Sequence, residues 1–321
     1  MNRPIIKEII ESPKEVFRSV IVELGKKNKN VIFVSCDTSL GTGADEFKKT
    51  YPDRHIEFGI QEQNAITASA GLALSGKIPY IGAHVPFIIC RCVEQIRNDL
   101  CVTKANVNII GRDFGLQFSA LGPTHMITED IGILRTLPNI TIIAPADGPE
   151  YRAAILTACE IDGPVYIRLS RQPTKRVNNG NYEFKVGKGN ILRNGKDITL
   201  IATSSMVSRS VEAANLLQHE GISVEVINMH TLKPLDKEII LESSTKTGKV
   251  VTVEEHSVIN GLGSAVADVL IQDNPIKMKM IGIEDCFVIV GQSYEELLDY
   301  YGLTGPKIAQ SIKSFLDQFR V

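Results

Sequence analysis

Short apolar, β-branched runs alternate with amphipathic stretches along the whole 321-residue chain, and that alternation leaves few folds open. Runs 31–35, 78–82, 107–111, 140–144 and 165–169 are apolar almost throughout. Strands buried on both faces of a parallel sheet have this character. Between them, 14–26, 62–74, 93–101 and 149–160 carry helical patterns. The first follows Ser12-Pro13, a cap with Pro at the first helical position, and Glu15 completes a capping box. Alternation of this kind predicts an α/β fold with right-handed crossovers.

Composition shifts at 172–194, where Asn, Gly and Lys accumulate. The shift predicts a linker with one short hairpin. Beyond it a second series begins, with strands at 198–203, 224–228, 249–254 and 278–283 and helices near 205–220, 236–245, 262–273 and 306–319. The expectation is two doubly wound domains: a larger one with a parallel sheet at 1–172, a linker at 173–189, and a smaller α/β domain at 190–321. Doubly wound sheets bind ligands beyond the carboxyl ends of their strands. The loops to inspect are therefore 36–44, 59–64, 83–89, 111–125 and 170–174, with 256–263 in the second domain.

Composition excludes several classes of function. With 35 Lys+Arg against 37 Asp+Glu and no basic run, neither nucleic acid nor an anionic membrane is expected as a partner. No apolar stretch approaches the ~18 residues needed to span a bilayer, and the first 15 residues lack the continuous apolar core of a signal peptide. Six cysteines, without C-x-x-C or metal spacing to His, read as free thiols in a reducing cytoplasm. No Walker-type or G-x-G-x-x-G phosphate loop is present.

Position singles out a few side chains. Glu62, in FGIQEQN, starts an Ala/Gly-rich helix able to pack closely against another surface. A carboxylate in a first turn is also the ordinary companion of the helix dipole; at an interface it would be partly desolvated and suited to proton exchange. His125 sits in the Gly-Pro loop of LGPTHMITED, and His84 and Phe87 follow a strand end in GAHVPF. These rings are either core filler or a platform for a flat heterocycle. Arg171, in RLSRQP, is placed to hold an anion bidentately or to be a solvated linker residue. Asp37 closes a strand and has the option of an Asx-turn. Gly261 and Gly263 point to close helix packing rather than phosphate binding. Glu254 and Glu255 point to opposite faces of their strand and make no acid–base pair.

The segments FGIQEQNAITASAGLALSGKIPY, GPTHMITEDIGILRTLPNITIIAPAD, GPVYIRLSRQP, NMHTLKPLD and VVTVEEHSVINGLGSAVADVL together resemble the C-terminal half of transketolase, in the thiamine-diphosphate superfamily. The resemblance runs from end to end of the chain. It implies a pyrimidine-binding domain followed by the transketolase C-terminal domain, and a sugar or keto substrate. Glu62 then matches the Glu that hydrogen-bonds the aminopyrimidine nitrogen and favours the imino tautomer that deprotonates the thiazolium. Phe87 matches an aromatic that packs on the pyrimidine, with His84 at a neighbouring position usually Phe. Asp37 matches an acidic residue near the cofactor, His125 a His touching substrate oxygens, and Arg171 an Arg binding sugar phosphate.

Three departures qualify the match. Leu121 stands where an Asp accepts a hydrogen bond from a substrate hydroxyl, Asp113 where a substrate-binding His is usual, and Lys14 near a position where Arg often binds phosphate. They point to an acceptor other than an ordinary pentose phosphate, deoxygenated or unphosphorylated. The family holds the diphosphate through Mg²⁺ on a Gly-Asp-Gly motif, which this sequence lacks. The expectation is half an active site with no metal site of its own, completed by a separate N-terminal transketolase subunit in an α₂β₂ assembly. Two other readings are a β-type subunit of a decarboxylating relative, either 2-oxo-acid dehydrogenase or deoxyxylulose-phosphate synthase, and a catalytically idle assembly subunit.

Overall fold

The computed structural model describes residues 9–178 and 182–318. Its strands in chain order are β1 (Ile10–Glu11), β2 (Val31–Ser35), β3 (His55–Glu57), β4 (Ile78–His84), β5 (Asn108–Arg112), β6 (Thr141–Ile143), β7 (Val165–Leu169) and β8 (Thr174–Lys175). There follow β9 (Asn190–Arg193), β10 (Ile198–Ala202), β11 (Val224–Asn228), β12 (Thr231–Lys233), β13 (Val250–Ser257) and β14 (Met278–Ile283). A seven-stranded sheet has the order β12-β6-β7-β5-β4-β2-β3, and a five-stranded sheet the order β14-β13-β10-β11-β9. All neighbours in these two sheets run parallel except the edge strands β12 and β9.

Helices cover both faces of the larger sheet. On one face Phe17, Val20, Ile21 and Leu24 of the helix Pro13–Lys27 pack with Phe33 and Ile167. Each such fully buried side chain contributes roughly 1.5–3 kcal/mol. That helix starts as its sequence predicts, with Ser12 Oγ accepting from the Glu15 N–H at 3.4 Å. On the other face the helix Glu62–Leu74 buries Ala65, Ile66 and Ala70 against Ile81 and Ile109 and leaves Asn64, Thr67 and Gly71 exposed. The stretch predicted as a helix at 93–101 is α-helical only over Val93–Gln95 and then π-helical over Ile96–Val102.

The predicted hairpin between the domains does not form among the described residues; residues 179–181 lie outside them. Thr174–Lys175 pairs instead with Ile10–Glu11, and Asn190–Arg193 joins the second sheet. Asp147 holds the segment by accepting the N–H groups of Val177 and Asn178 at 2.9 and 2.8 Å. β12, from the second half of the chain, extends the first sheet.

Buried polar contacts tie the two sheets together. Arg168 on β7 donates to Asp130 at 2.8 and 2.5 Å and reaches the Glu255 carbonyl at 3.4 Å. Glu254 and Glu255 diverge as their alternation requires. Glu254 accepts the N–H groups of Leu262 and Gly263, while Glu255 accepts the N–H of Leu116 and the hydroxyls of Ser205 and Tyr294. A Cβ on Gly263 would lie 2.8 Å from Met280 Cγ, so close packing accounts for this glycine. No helix among the described residues is long and apolar enough to cross a membrane.

Candidate active site

Strands β7, β5, β4 and β2 are neighbours, so the loops after their carboxyl ends share one rim. β2 delivers Cys36 and Asp37, β4 ends on His84, β5 is followed by Asp113, and β7 by Ser170 and Arg171. Asp37 and Asp113 turn through left-handed backbone, φ 57° and 65°, a conformation Asp tolerates better than most residues. The Asp37 N–H donates to Glu57 Oε1 at 2.7 Å and that of Gly59 to the same oxygen at 2.9 Å. Burial would raise the Glu57 carboxyl, but these bonds and the Ser35 hydroxyl hold it below its ordinary value.

Glu62 opens its helix and is 3% exposed. Its Oε2 accepts from Arg91 Nη1 at 2.6 Å, and the Arg91 guanidinium lies 4.9 Å from the centre of the Phe87 ring. Asp37, Glu62, His84, Phe87, Leu121 and His125 line one cavity of about 250 Å³, with Phe118 as a further wall. That is below the roughly 300–1,000 Å³ of complete small-molecule sites. His84 stacks on Phe118 with centroids 5.3 Å apart and planes 13° apart, and Phe87 meets His125 edge-on at 5.3 Å. His125 Nδ1 lies 2.9 Å from Thr124 Oγ1. An aromatic slot with a buried carboxylate suits a flat nitrogen heterocycle: the rings take its faces and the carboxylate accepts from a ring N–H. Cys36 also lines the slot; burial, then the charges of Glu62 and Glu57, push its thiol up to about 12. It is a neutral wall rather than a nucleophile.

A second cavity of about 450 Å³ takes Lys14, Gly41, Arg112, Asp113 and Arg171. Asp113 is 1% exposed and is the hub. Its Oδ2 lies 2.8 Å from His84 Nδ1, 2.8 Å from Arg112 Nη2 and 3.4 Å from Arg171 Nη1. Burial alone would raise this carboxyl; His84, Arg112 and Arg171 overcome that and hold it below its ordinary value. Burial lowers the Arg112 guanidinium more than Asp113 raises it. Gly41 makes room for Arg112, since a Cβ there would lie 1.6 Å from its Nη1. Arg171 also lies 4.3 Å from the centre of the Phe118 ring. Lys14, Arg112 and Arg171 against one carboxylate leave the cavity net positive and suited to an anion.

The residues singled out in sequence thus fall into two adjoining cavities. Asp37, Glu62, His84, Phe87, Leu121 and His125 line one; Lys14, Asp113 and Arg171 line the other; the His84–Asp113 contact joins them. Sequence reasoning missed Arg91, Arg112 and Phe118. Arg91 carries a local signal, lying four residues beyond Phe87, so that helical spacing stacks the pair. Arg112 and Phe118 carry none, since nothing local shows that they turn toward Asp113 and His84. A larger cleft of about 550 Å³ between the domains, reached by the 256–263 loop, shares no lining residue with either cavity.

Two family models match this chain. That of the transketolase pyrimidine binding domain covers residues 12–176, and that of the transketolase C-terminal domain covers 187–308. The chain is 37% identical to the 6-deoxy-6-sulfo-D-fructose transketolase subunit SqwH of Clostridium sp. (strain MSTE9), over 97% of each. It is 35% identical to a subunit of the apulose-4-phosphate transketolase of Phocaeicola vulgatus, over 94% of this chain and 97% of that one. Among solved structures, a split gene transketolase described as an inactive beta4 tetramer superposes with a TM-score of 0.88 at 39% identity, over 97% of this chain and 100% of that one. With both domain models matched in order and relatives aligned over nearly their full length, the chain belongs to the transketolase family.

Proposed function

We propose that this chain is the C-terminal subunit of a split transketolase-type enzyme, one that passes a two-carbon ketol unit from a ketose donor to an aldehyde acceptor. The carrying observation is the buried Glu62 carboxylate in the wall of an aromatic slot, in a chain aligned end to end with subunits of transketolases. Thiamine diphosphate, when bound, supplies the electron sink for cleaving and forming the C–C bond. Glu62 would accept a hydrogen bond from the proton-bearing ring nitrogen, while Arg91 orients the carboxylate. Phe87 takes a face of the ring, and Asp37 stands at the slot's edge. His125, oriented by Thr124, holds substrate oxygens. Lys14, Arg112 and Arg171 hold the anionic end of a substrate. Asp113 tempers their charge.

The diphosphate and Mg²⁺ fall to a separate N-terminal subunit in an α₂β₂ assembly, because the chain has no Gly-Asp-Gly sequence and its slot is small. Leu121, 45% exposed, lines that slot where an acidic acceptor is expected, which supports an acceptor other than an ordinary pentose phosphate. The free cysteines agree with work in the cytoplasm. Ketol transfer is preferred over decarboxylation because the two relatives described above, which align over 97% of their own length, are named as subunits of transketolases. Replacing Glu62 by Ala in the assembled complex is the test. Loss of that contact should lower kcat on the order of 10²–10³-fold without dissociating the subunits. Unchanged turnover would instead make this an idle assembly subunit.

A further inference from the structure

We infer that His84, held by Asp113, accepts a hydrogen bond from the hydroxyl next to the aldehyde carbonyl of the acceptor, and so determines which acceptors are used. Asp113 acts as its positioning residue. The inference deepens the ketol-transfer reading above and rests on it.

The geometry begins with one short contact. Asp113 Oδ2 stands 2.8 Å from His84 Nδ1, out of line with the ring N–H bond. An anionic oxygen that close disfavours a lone pair on the buried nitrogen and favours an N–H there, so Nδ1 carries the hydrogen. The ring has little freedom to rotate away. It stacks on Phe118 at 5.3 Å and 13° and meets Phe87 edge-on at 6.1 Å. Nδ1 is buried and makes no linear hydrogen bond, whereas Nε2 is not buried, in a side chain that lines the cavity. A neutral imidazole with its hydrogen on Nδ1 presents a lone pair at Nε2, which accepts from a hydroxyl.

The surroundings say which hydroxyl. His84 and His125 share the cavity with centroids 6.5 Å apart. With a hydrogen bond of about 2.8 Å drawn from each ring, that separation admits oxygens on neighbouring carbons. With His125 on the carbonyl side, His84 meets the adjacent hydroxyl. A charged far end has its own place across Asp113, beside Arg112 and Arg171. Leu121 offers only methyl groups to the same cavity, so recognition of a hydroxyl passes from position 121 to His84. Asp113 stays anionic through its contacts with the Arg112 and Arg171 guanidiniums and keeps the tautomer.

The test uses the complex with its N-terminal partner, hydroxypyruvate as ketol donor, and two acceptors that differ by one hydroxyl: glycolaldehyde and acetaldehyde. The wild-type complex should prefer glycolaldehyde in kcat/KM. His84→Phe should shrink that preference about tenfold, the factor for one hydrogen bond. Asp113→Asn should shrink it similarly, and the double variant should be little worse than either alone. A preference unchanged in His84→Phe overturns the inference while leaving ketol transfer standing. A wild-type complex that transfers no ketol unit overturns both. Long-range ¹H–¹⁵N spectra of the full chain decide the tautomer without turnover: His84 should carry its hydrogen on Nδ1, and a hydrogen on Nε2 at neutral pH contradicts the inference.

Discussion

At Gly122 the backbone sits at φ 69°, ψ −163°, a region open essentially to glycine alone. A Cβ there would also meet Val290 Cγ2 at 2.7 Å. This residue sets the path of the loop that carries Leu121 and His125 into the slot. Gly122→Ala should cost about 1–3 kcal/mol of stability and raise KM by displacing His125. Urea denaturation and steady-state kinetics check this; unchanged midpoint and KM would show that the loop relaxes freely. The string GPTH was legible in the sequence, but the reason for its glycine was not, because Val290 lies far along the chain. The same holds for Arg112: its neighbour Asp113 stood out, yet only the fold shows Gly41 yielding space to the guanidinium.

At the scale of elements, apolar periodicity located the strands and helices well. Val31–Ser35, Val165–Leu169 and Glu62–Leu74 fall where their patterns place them. Periodicity names a strand without naming its neighbour. That is why β12 on the first sheet and the β1–β8 pair were not legible, and why Asn and Gly at 172–194 read as a hairpin. The turn from β11 into β12 has a consequence for stability. His230 within it is 1% exposed, packed at 4.5 Å from Phe184 and 6.2 Å from Tyr182, and burial pushes it down to about 4. The unfolded chain takes up that proton near pH 6.5. Between the two values the unfolded state holds more protons, so stability present above pH 6.5 is lost as pH falls toward 4, by up to roughly 1.4 kcal/mol per unit. Urea unfolding at pH 7.5 and 5 should therefore show a larger loss in the wild type than in His230→Gln. Equal losses would mean that His230 is protonated in the fold.

The body of the molecule is two largely parallel sheets joined by the buried Arg168–Asp130 pair and its links to β13, with both cavities opening on the larger sheet. What it presents is a slot for one ring, a cationic cavity beside it, and a helix whose Asn64, Thr67 and Gly71 remain exposed. The proposed division of labour rests on a missing Gly-Asp-Gly motif and on Glu62, both of which stand in the sequence itself. The His84–Asp113 link was not, since residues 29 apart meet only through the β4–β5 pairing. A half-site requires that the cofactor needs two subunits. Thiamine diphosphate with Mg²⁺ should be titrated calorimetrically into the isolated chain and into an equimolar mixture with the N-terminal subunit. The isolated chain should give no appreciable Mg²⁺-dependent binding and the mixture should bind; tight binding by the isolated chain would contradict the half-site.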